Sequence, residues 1–199
     1  MKIPWAAVGC WIGIGLLPVV EWLTAPPWAW DRAALSLFAR LRNPTLDAFF
    51  LAVTWAGSLY LLMPVTAVIV LRSIRQGQPR AAWLLGMSVV GASLVTRIMK
   101  LQLARPRPDV HAALTAIPID ASFPSAHTAQ ITAFVVATLS LQSCGRALWM
   151  ALIGIVLATA VGLSRIYLQV HYASDVLAGA LLGVFWAWGV RRCQQAFHL

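Results

Sequence analysis

The residues best suited to chemistry in this chain fall into three short clusters. The clusters are Lys100 to Pro108, Phe123 to Thr128 and Ser164 to Asp175, and their reactive members are Lys100, Arg107, His127, Arg165, His171 and Asp175. Lysine and arginine donate charge-assisted hydrogen bonds, and a guanidinium can grip two oxygens at once. Three such cations favour an anion with several oxygens, such as a phosphate.

The two histidines supply what a bound phosphate needs in order to react. Asp175 lies four residues after His171 and is able to accept its Nδ1–H, which fixes the tautomer whose Nε2 is free to attack. His127 is then placed to give a proton to the departing oxygen. Pro124 predicts a helix start whose free N–H groups point at the same anion.

Each cluster also has a purely structural interpretation. Lys100 and Arg107 are able to serve as interface anchors, Pro124 as a first-turn proline, and His171 with Asp175 as a structural hydrogen-bonded pair. The site interpretation is favoured because the predicted topology brings all three clusters to one face, and a single anion site explains them together.

The clusters resemble the three signature motifs of the type-2 phosphatidic acid phosphatase family. Lys100 to Pro108 matches the pattern K-x6-R-P and Ser164 to Asp175 matches S-R-x5-H-x3-D, both completely. The pattern P-S-G-H is matched except at Ala126, where the family usually has Gly. Alanine adds a methyl group next to the backbone that would bind the phosphate, where glycine allows a closer approach.

The resemblance implies a metal-independent lipid phosphate phosphatase without a cofactor. His171 would carry the phosphoryl group as a phosphohistidine, Asp175 would orient it, and His127 would protonate the leaving group and later activate water. The phosphate would be held by a wider set of groups: Lys100, Arg107, Ser125, Ser164, Arg165 and the backbone of Ala126.

The composition excludes an ordinary water-soluble domain. Of 199 residues, 60% are hydrophobic and 11% are charged, with a formal net charge of +9, whereas soluble domains have about 25% charged residues. Such a chain has too little polar surface for the nucleic-acid binding that a positive charge otherwise suggests. We therefore expect a membrane protein whose partners are the bilayer and a lipid phosphate, with no nucleic acid and no obligate protein partner.

Six uncharged runs predict six membrane-spanning helices. They are residues 3–20, 48–71, 81–96, 121–145, 147–164 and 176–190. A span needs about 17–25 residues, so the third and sixth runs suffice only if their helices continue past a charged residue. The expected fold is all-α: a polytopic bundle of six transmembrane helices in one domain, residues 1–199, with the motifs within 100–175. Residues 31–42 predict a short interfacial helix between helices one and two.

Charge distribution predicts the orientation. An even number of spans puts both termini on one side, which collects seven basic residues and no acid: Lys2, Arg72, Arg75, Arg80, Arg146, Arg191 and Arg192. The positive-inside rule makes that side the cytoplasm of a plasma membrane, in a bacterium the inner membrane. The three clusters then face the periplasm or cell exterior.

Several functional alternatives remain open. The favoured reaction is hydrolysis of undecaprenyl diphosphate to undecaprenyl phosphate. Others are hydrolysis of phosphatidylglycerophosphate or phosphatidate, transfer of the phosphoryl group to a second lipid, and, from another class, anion transport without catalysis. A metal site built on His127, His171 and Asp175 is disfavoured because three neighbouring cations repel a divalent ion.

Overall fold

The computed structural model describes residues 27–142 and 144–197, which form seven α-helices and one 3₁₀ turn, with no strand in those ranges. We number the helices α1 Ala29–Arg40, α2 Pro44–Val53, α3 Leu59–Arg75, α4 Pro79–Leu103, α5 Ala126–Leu139, α6 Cys144–Tyr167 and α7 Ala173–Phe197. The 3₁₀ turn, Thr54–Gly57, lies between α2 and α3. The predicted first span, residues 3–20, and the basic residue Lys2 lie outside the described residues.

Local sequence signals explain where several helices begin and end. Asn43 caps α2, because its Oδ1 accepts a hydrogen bond from the backbone N–H of Leu46 at 3.0 Å, and proline follows it at the first helical position. Ser58 caps α3 in the same way, accepting from the N–H of Tyr60 at 3.3 Å. Helix α4 ends at Leu103, and the next residue, Ala104, has a left-handed φ of 43° that turns the chain out of the helix.

Three of the described helices are long and apolar enough to cross a membrane. They are α4, the stretch Ala147–Tyr167 of α6 and the stretch Ala173–Ala196 of α7. A fourth span exists if α2 with its 3₁₀ turn and α3 are counted as one span, although these two segments are bent by 45° relative to each other. The prediction that α4 and α7 continue past charged residues is confirmed, since α4 includes Lys100 and α7 includes Asp175. The predicted count of six spans stays a prediction.

The structure differs from the expectation for the uncharged run 121–145. Within it, 14 residues form α5, which at 1.5 Å per residue is about 21 Å long and short for a span, and the last two residues of the run already belong to α6. Helix α5 instead packs among α4, α6 and α7. Glycines on α7 permit this close approach: a Cβ on Gly179 or Gly183 would lie 2.5 Å from the carbonyl oxygen of Ser125 or Ala129, respectively. Helix α5 is thus the central helix of the described bundle.

Helix α1 is present where residues 31–42 predict a helix, and it packs against the turn between α6 and α7. Leu35 is fully buried and contacts Ile166 and Tyr172. Asp31 is also fully buried, while Arg32 is exposed. The position of α1 at a membrane surface stays a prediction.

The two ends of the bundle differ in chemistry. The end of α4, the start of α5, the end of α6 and the start of α7 lie together, and the connection 104–125 closes over them. At the other end, Gln194 of α7 donates to the carbonyl oxygen of Arg80, and Arg191 donates to Ser140. The fold therefore brings the three clusters to one end of the bundle, as predicted.

Candidate active site

His171 lies in the short turn between α6 and α7 and is buried. Its Nδ1 is 3.4 Å from Oδ2 of Asp175, four residues later. Its Nε2 is 3.3 Å from Nη1 of Arg107, so this nitrogen faces a guanidinium rather than open space. Burial, opposed by the neighbouring Asp175 carboxylate, lowers the pKa of His171 to about 3. The imidazole is therefore neutral at pH 7, which is the form able to act as a nucleophile.

The Asp175 carboxylate at the start of α7 holds more partners than the sequence predicts. Besides His171, its Oδ2 accepts from the N–H of Tyr172 at 2.9 Å and from the hydroxyl of Ser122 at 2.5 Å. Its Oδ1 accepts from Arg105 at 2.6 Å. This carboxylate is consequently fixed by four groups from two segments of the chain.

Lys100 and Arg107 meet at a carboxylate, that of Asp120. The Lys100 ammonium is 3.1 Å from Oδ2 of Asp120 and also donates to the carbonyl oxygen of Ala121. Arg107 donates to Oδ1 at 2.5 Å and, through Nε, to the backbone oxygen of Asp120 at 2.9 Å. Burial alone would raise the pKa of Asp120, but the hydrogen bonds and charges of Arg107 and Lys100 outweigh it and hold that pKa below its ordinary value. The Asp120 carboxylate is thus an anion that binds two of the three predicted phosphate-binding cations, Lys100 and Arg107.

Arg165 and His127 lie beside this group. Nη1 of Arg165 donates to the hydroxyl of Thr54 at 2.6 Å, while its buried Nε has no hydrogen-bond partner. Burial, reinforced by the positive charges of Arg165, Lys100 and Arg107, lowers the pKa of His127 at the start of α5 to about 2. The third predicted cation therefore neighbours the predicted general acid.

Three further residues are predicted to bind the phosphate, and the structure gives each a different environment: Ser125, Ala126 and Ser164. Ser125 is fully buried just before α5, and its hydroxyl accepts from Thr128 at 3.0 Å. Ala126 opens α5 without a positive φ, which within the described ranges only Ala104 and Gln169 have among non-glycine residues. Alanine in place of glycine is therefore compatible with the local backbone. The Ser164 hydroxyl donates to the carbonyl oxygen of Val161 at 2.6 Å, within its own helix.

A cleft of about 650 Å³ opens beside Lys100 and Arg107. Its other lining residues include Leu101, Ile117 and Ile119, of which Leu101 and Ile119 are strongly exposed. A basic floor with an apolar rim suits a ligand that has a charged head and an apolar tail. In the described part of the chain, no group of three His, Cys, Asp or Glu side chains is arranged to hold a metal ion.

Four residues of the site were not predicted from the sequence: Asp31, Arg105, Asp120 and Ser122. Arg105 lies inside the unspecified x6 segment of the first motif, so the pattern gives no reason to select it. Asp120 and Ser122 shortly precede the second motif, and their position next to it was the one signal available. Asp31 is 144 residues from Asp175 in sequence and shares no motif with it.

A family model described as the PAP2 superfamily matches residues 81–199, more than half of the chain. The chain belongs to the PAP2 superfamily. The matched region contains all three clusters, so the resemblance noted from the motifs is confirmed.

Individual members of the PAP2 superfamily resemble the chain over different extents. A lipid A 1-phosphatase of Porphyromonas gingivalis is 39% identical over 57% of this chain and 23% of its own length. An undecaprenyl-diphosphatase of Sulfolobus acidocaldarius is 34% identical over 70% of this chain and 66% of its own length. The chain thus spans less than two thirds of either curated relative.

A solved PAP2 structure has the same fold. The crystal structure of a transmembrane phosphatidylglycerolphosphate phosphatase from Bacillus subtilis matches with a TM-score of 0.79 and 25% identity, covering 92% of this chain and 96% of that one. All three of these relatives are named phosphatases, the class of enzyme that the motifs predict. The apolar helices and this likeness indicate an integral membrane protein.

Proposed function

We propose that this PAP2 chain hydrolyses a lipid phosphate or diphosphate through a phosphohistidine on His171. The observation that carries the proposal is the environment of that side chain. It is a buried neutral imidazole with Nδ1 at the Asp175 carboxylate and Nε2 at the Arg107 guanidinium. A phosphate held by Arg107 would thereby be held next to the nucleophilic nitrogen.

The predicted phosphate ligands divide into cations and neutral donors. Lys100, Arg107 and Arg165 supply positive charge, and Arg165 has a buried Nε with no partner that a phosphate oxygen would satisfy. The Ser125 hydroxyl and the first N–H groups of α5, at Ala126, are the neutral donors. Ser164 stays in the proposed set, although its hydroxyl proton is engaged by Val161.

The proposed reaction has two displacements at phosphorus. In the first, Nε2 of His171 forms a bond to phosphorus while the bond to the leaving oxygen breaks, and His127 gives that oxygen its proton. In the second, His127 takes a proton from water, the water oxygen bonds to phosphorus, and the P–N bond breaks to release inorganic phosphate. Bound phosphate brings negative charge next to His127, which favours the protonated imidazole that the first step needs.

Undecaprenyl diphosphate is the proposed substrate, with undecaprenyl phosphate and inorganic phosphate as the products. The basic cleft with its apolar rim supports a lipid phosphate, and the name of the Sulfolobus relative supports this lipid. Phosphatidylglycerophosphate or phosphatidate is the second candidate, favoured by the fold match to the Bacillus subtilis enzyme.

We place the chain in a bacterial inner membrane with the site on the periplasmic face. The support is the chemistry of the opposite end, where Arg72 and Arg75 end α3, Arg80 begins α4 and Arg191 lies near the end of α7. A cytoplasmic position for this end, and for both termini, follows the positive-inside rule.

The test is phosphate release by the purified protein in detergent. Undecaprenyl diphosphate, phosphatidylglycerophosphate and phosphatidate are compared at equal mole fraction in micelles, each with a radiolabelled phosphoryl group. The proposal predicts release of inorganic phosphate, fastest from undecaprenyl diphosphate. Label that appears in an acceptor lipid instead would show a phosphotransferase. Absence of release from all three lipids would contradict the proposal and favour a non-catalytic anion transporter.

A further inference from the structure

A buried ion-pair network lies beside the Asp175 carboxylate, at the oxygen that does not face His171. Arg105 of the α4–α5 connection is 2.6 Å from Oδ1 of Asp175 and 3.2 Å from Oδ2 of Asp31, on α1. The three side chains are at most 3% exposed. None of the proposed catalytic steps uses Arg105 or Asp31.

Arg105 fixes the rotation of the Asp175 carboxylate. The two oxygens of that group are divided: Oδ1 accepts from Arg105, while Oδ2 faces Nδ1 of His171 and accepts from Ser122. A carboxylate held at one oxygen cannot turn about its Cβ–Cγ bond without losing that contact. Together with the Ser122 hydroxyl and the Tyr172 N–H on Oδ2, the guanidinium on Oδ1 therefore fixes which oxygen is presented to the imidazole, and at what angle.

Asp31 in turn fixes both Arg105 and the first turn of α7. Its Oδ1 accepts from the N–H of Ser174 at 2.8 Å, and its Oδ2 accepts from the Ser174 hydroxyl at 2.8 Å and from Arg105. The Arg105 guanidinium also lies over the Tyr172 ring, 4.5 Å from its centroid. A carboxylate on α1 is thereby connected to the segment that carries His171 and Asp175.

Stability gives no sufficient reason for this arrangement. Taking charged groups out of water is costly, and replacing a buried ion pair by apolar side chains of similar volume is often neutral or stabilising. Hydrogen bonds in low dielectric are, however, strong and directional, so a network of this kind determines orientation well. Its position against the partner of the proposed nucleophile indicates what it orients.

We propose that Arg105 and Asp31 are positioning residues for phosphoryl transfer: they hold Asp175 so that it keeps the His171 imidazole in its reactive tautomer and orientation. This inference rests on the proposed function of His171 and adds the residues that position its partner Asp175. Arg105 acts through Asp175, and Asp31 acts through Arg105 and Ser174. Neither residue is assigned a contact with the phosphate.

The test is steady-state hydrolysis of a lipid phosphate by Arg105→Lys and Asp31→Asn. Lysine keeps the charge but cannot bridge two carboxylates in a plane, and asparagine keeps the size of Asp31 without its charge. Loss of the hydrogen-bond partner behind a metal ligand costs about 10- to 100-fold in activity, and Arg105 supports Asp175 in a comparable way. We expect kcat to fall by that factor in Arg105→Lys and by about threefold to tenfold in Asp31→Asn. The KM should stay within about twofold, since the proposed phosphate ligands are unchanged.

Two matched variants control for the substitutions themselves. Arg32→Lys changes an exposed arginine next to Asp31, and Asp109→Asn changes an exposed aspartate of the α4–α5 connection. Both should behave as the unaltered chain. Thermal unfolding in detergent, followed by circular dichroism, identifies variants that remain folded.

The outcomes separate this inference from the proposed function. A folded Arg105→Lys protein whose kcat is unchanged, or whose KM rises as much as kcat falls, would overturn the positioning role. If Arg105→Lys does not fold, Asp31→Asn decides, and an unchanged kcat there overturns it. Failure of the unaltered chain to release phosphate would instead overturn the proposed function, and the inference with it.

Discussion

Substitution of Asp120 by asparagine isolates one charge in the proposed phosphate site. In the structure this carboxylate occupies Lys100 and Arg107, and a phosphate that uses the same two cations has to displace it. Asparagine removes the negative charge but keeps the backbone oxygen that holds Nε of Arg107 at 2.9 Å. The Arg107 guanidinium therefore keeps this hydrogen bond, while the side chain that competes with phosphate becomes neutral.

The size of the effect follows from the exposure of Asp120. Its side chain is 53% exposed, and ion pairs open to water contribute about 0.2–1 kcal/mol each. Two such pairs amount to roughly 0.5–2 kcal/mol, and since about 1.4 kcal/mol is a factor of ten, the KM for a lipid phosphate should fall by about 2- to 30-fold. The kcat should change little, because Asp120 contacts neither histidine.

The effect should not depend on pH between about 5 and 8. Burial alone would raise the pKa of Asp120, but Arg107 and Lys100 hold it below its ordinary value. The Asp120 carboxylate therefore stays negatively charged at every pH between about 5 and 8, and it competes with phosphate throughout that pH range. Asp120→Asn is assayed by phosphate release over a range of substrate mole fractions at several pH values, beside Asp109→Asn. A folded Asp120→Asn protein with an unchanged or higher KM would refute the competition.

Three further predictions concern the nucleophile, the chemistry and the backbone. His171→Gln should lower turnover by more than about 10³-fold while the protein stays folded; substantial residual turnover in the phosphate-release assay would exclude His171 as the nucleophile. Turnover should persist in excess chelator and be inhibited by vanadate, which mimics the phosphoryl transition state; loss of turnover in chelator would restore the metal-site alternative. Ala104→Gly should stabilise the protein by about 1 kcal/mol because alanine is strained at a φ of 43°. Ala33→Gly, in an exposed part of α1, should destabilise it by a similar amount, and equal shifts in their melting temperatures would contradict this account.

The parts of the site that depend on spacing along one segment could be predicted from the sequence. His171 and Asp175 are four residues apart, so their pairing follows from the local chain, and Lys100 and Arg107 belong to one helix end. Partners from distant segments could not be predicted. Asp31 reaches Arg105 and Ser174 only because α1 packs onto the turn before α7, and no periodicity or motif encodes that contact.

Hydropathy located the apolar segments better than it located the helices within them. The run 48–71 is uncharged throughout, yet the cap at Ser58 and the 3₁₀ turn before it bend the helix pair by 45°. The run 121–145 includes loop residues ahead of Ser125. The run was defined by the absence of charged residues, and this criterion does not distinguish an uncharged loop from an apolar helix. Backbone hydrogen bonding decides where a helix begins and ends, and the residue composition of a segment predicts those boundaries only weakly.

The most direct test of the account is to trap the phosphorylated protein. The purified chain is mixed with a lipid phosphate carrying a radiolabelled phosphoryl group, quenched in alkali within one turnover, and digested for peptide mapping. A phosphohistidine on His171 predicts acid-labile, alkali-stable label on the peptide that contains this residue, and none in His171→Gln. Turnover of the lipid with label on no histidine, or on a different residue, would contradict it.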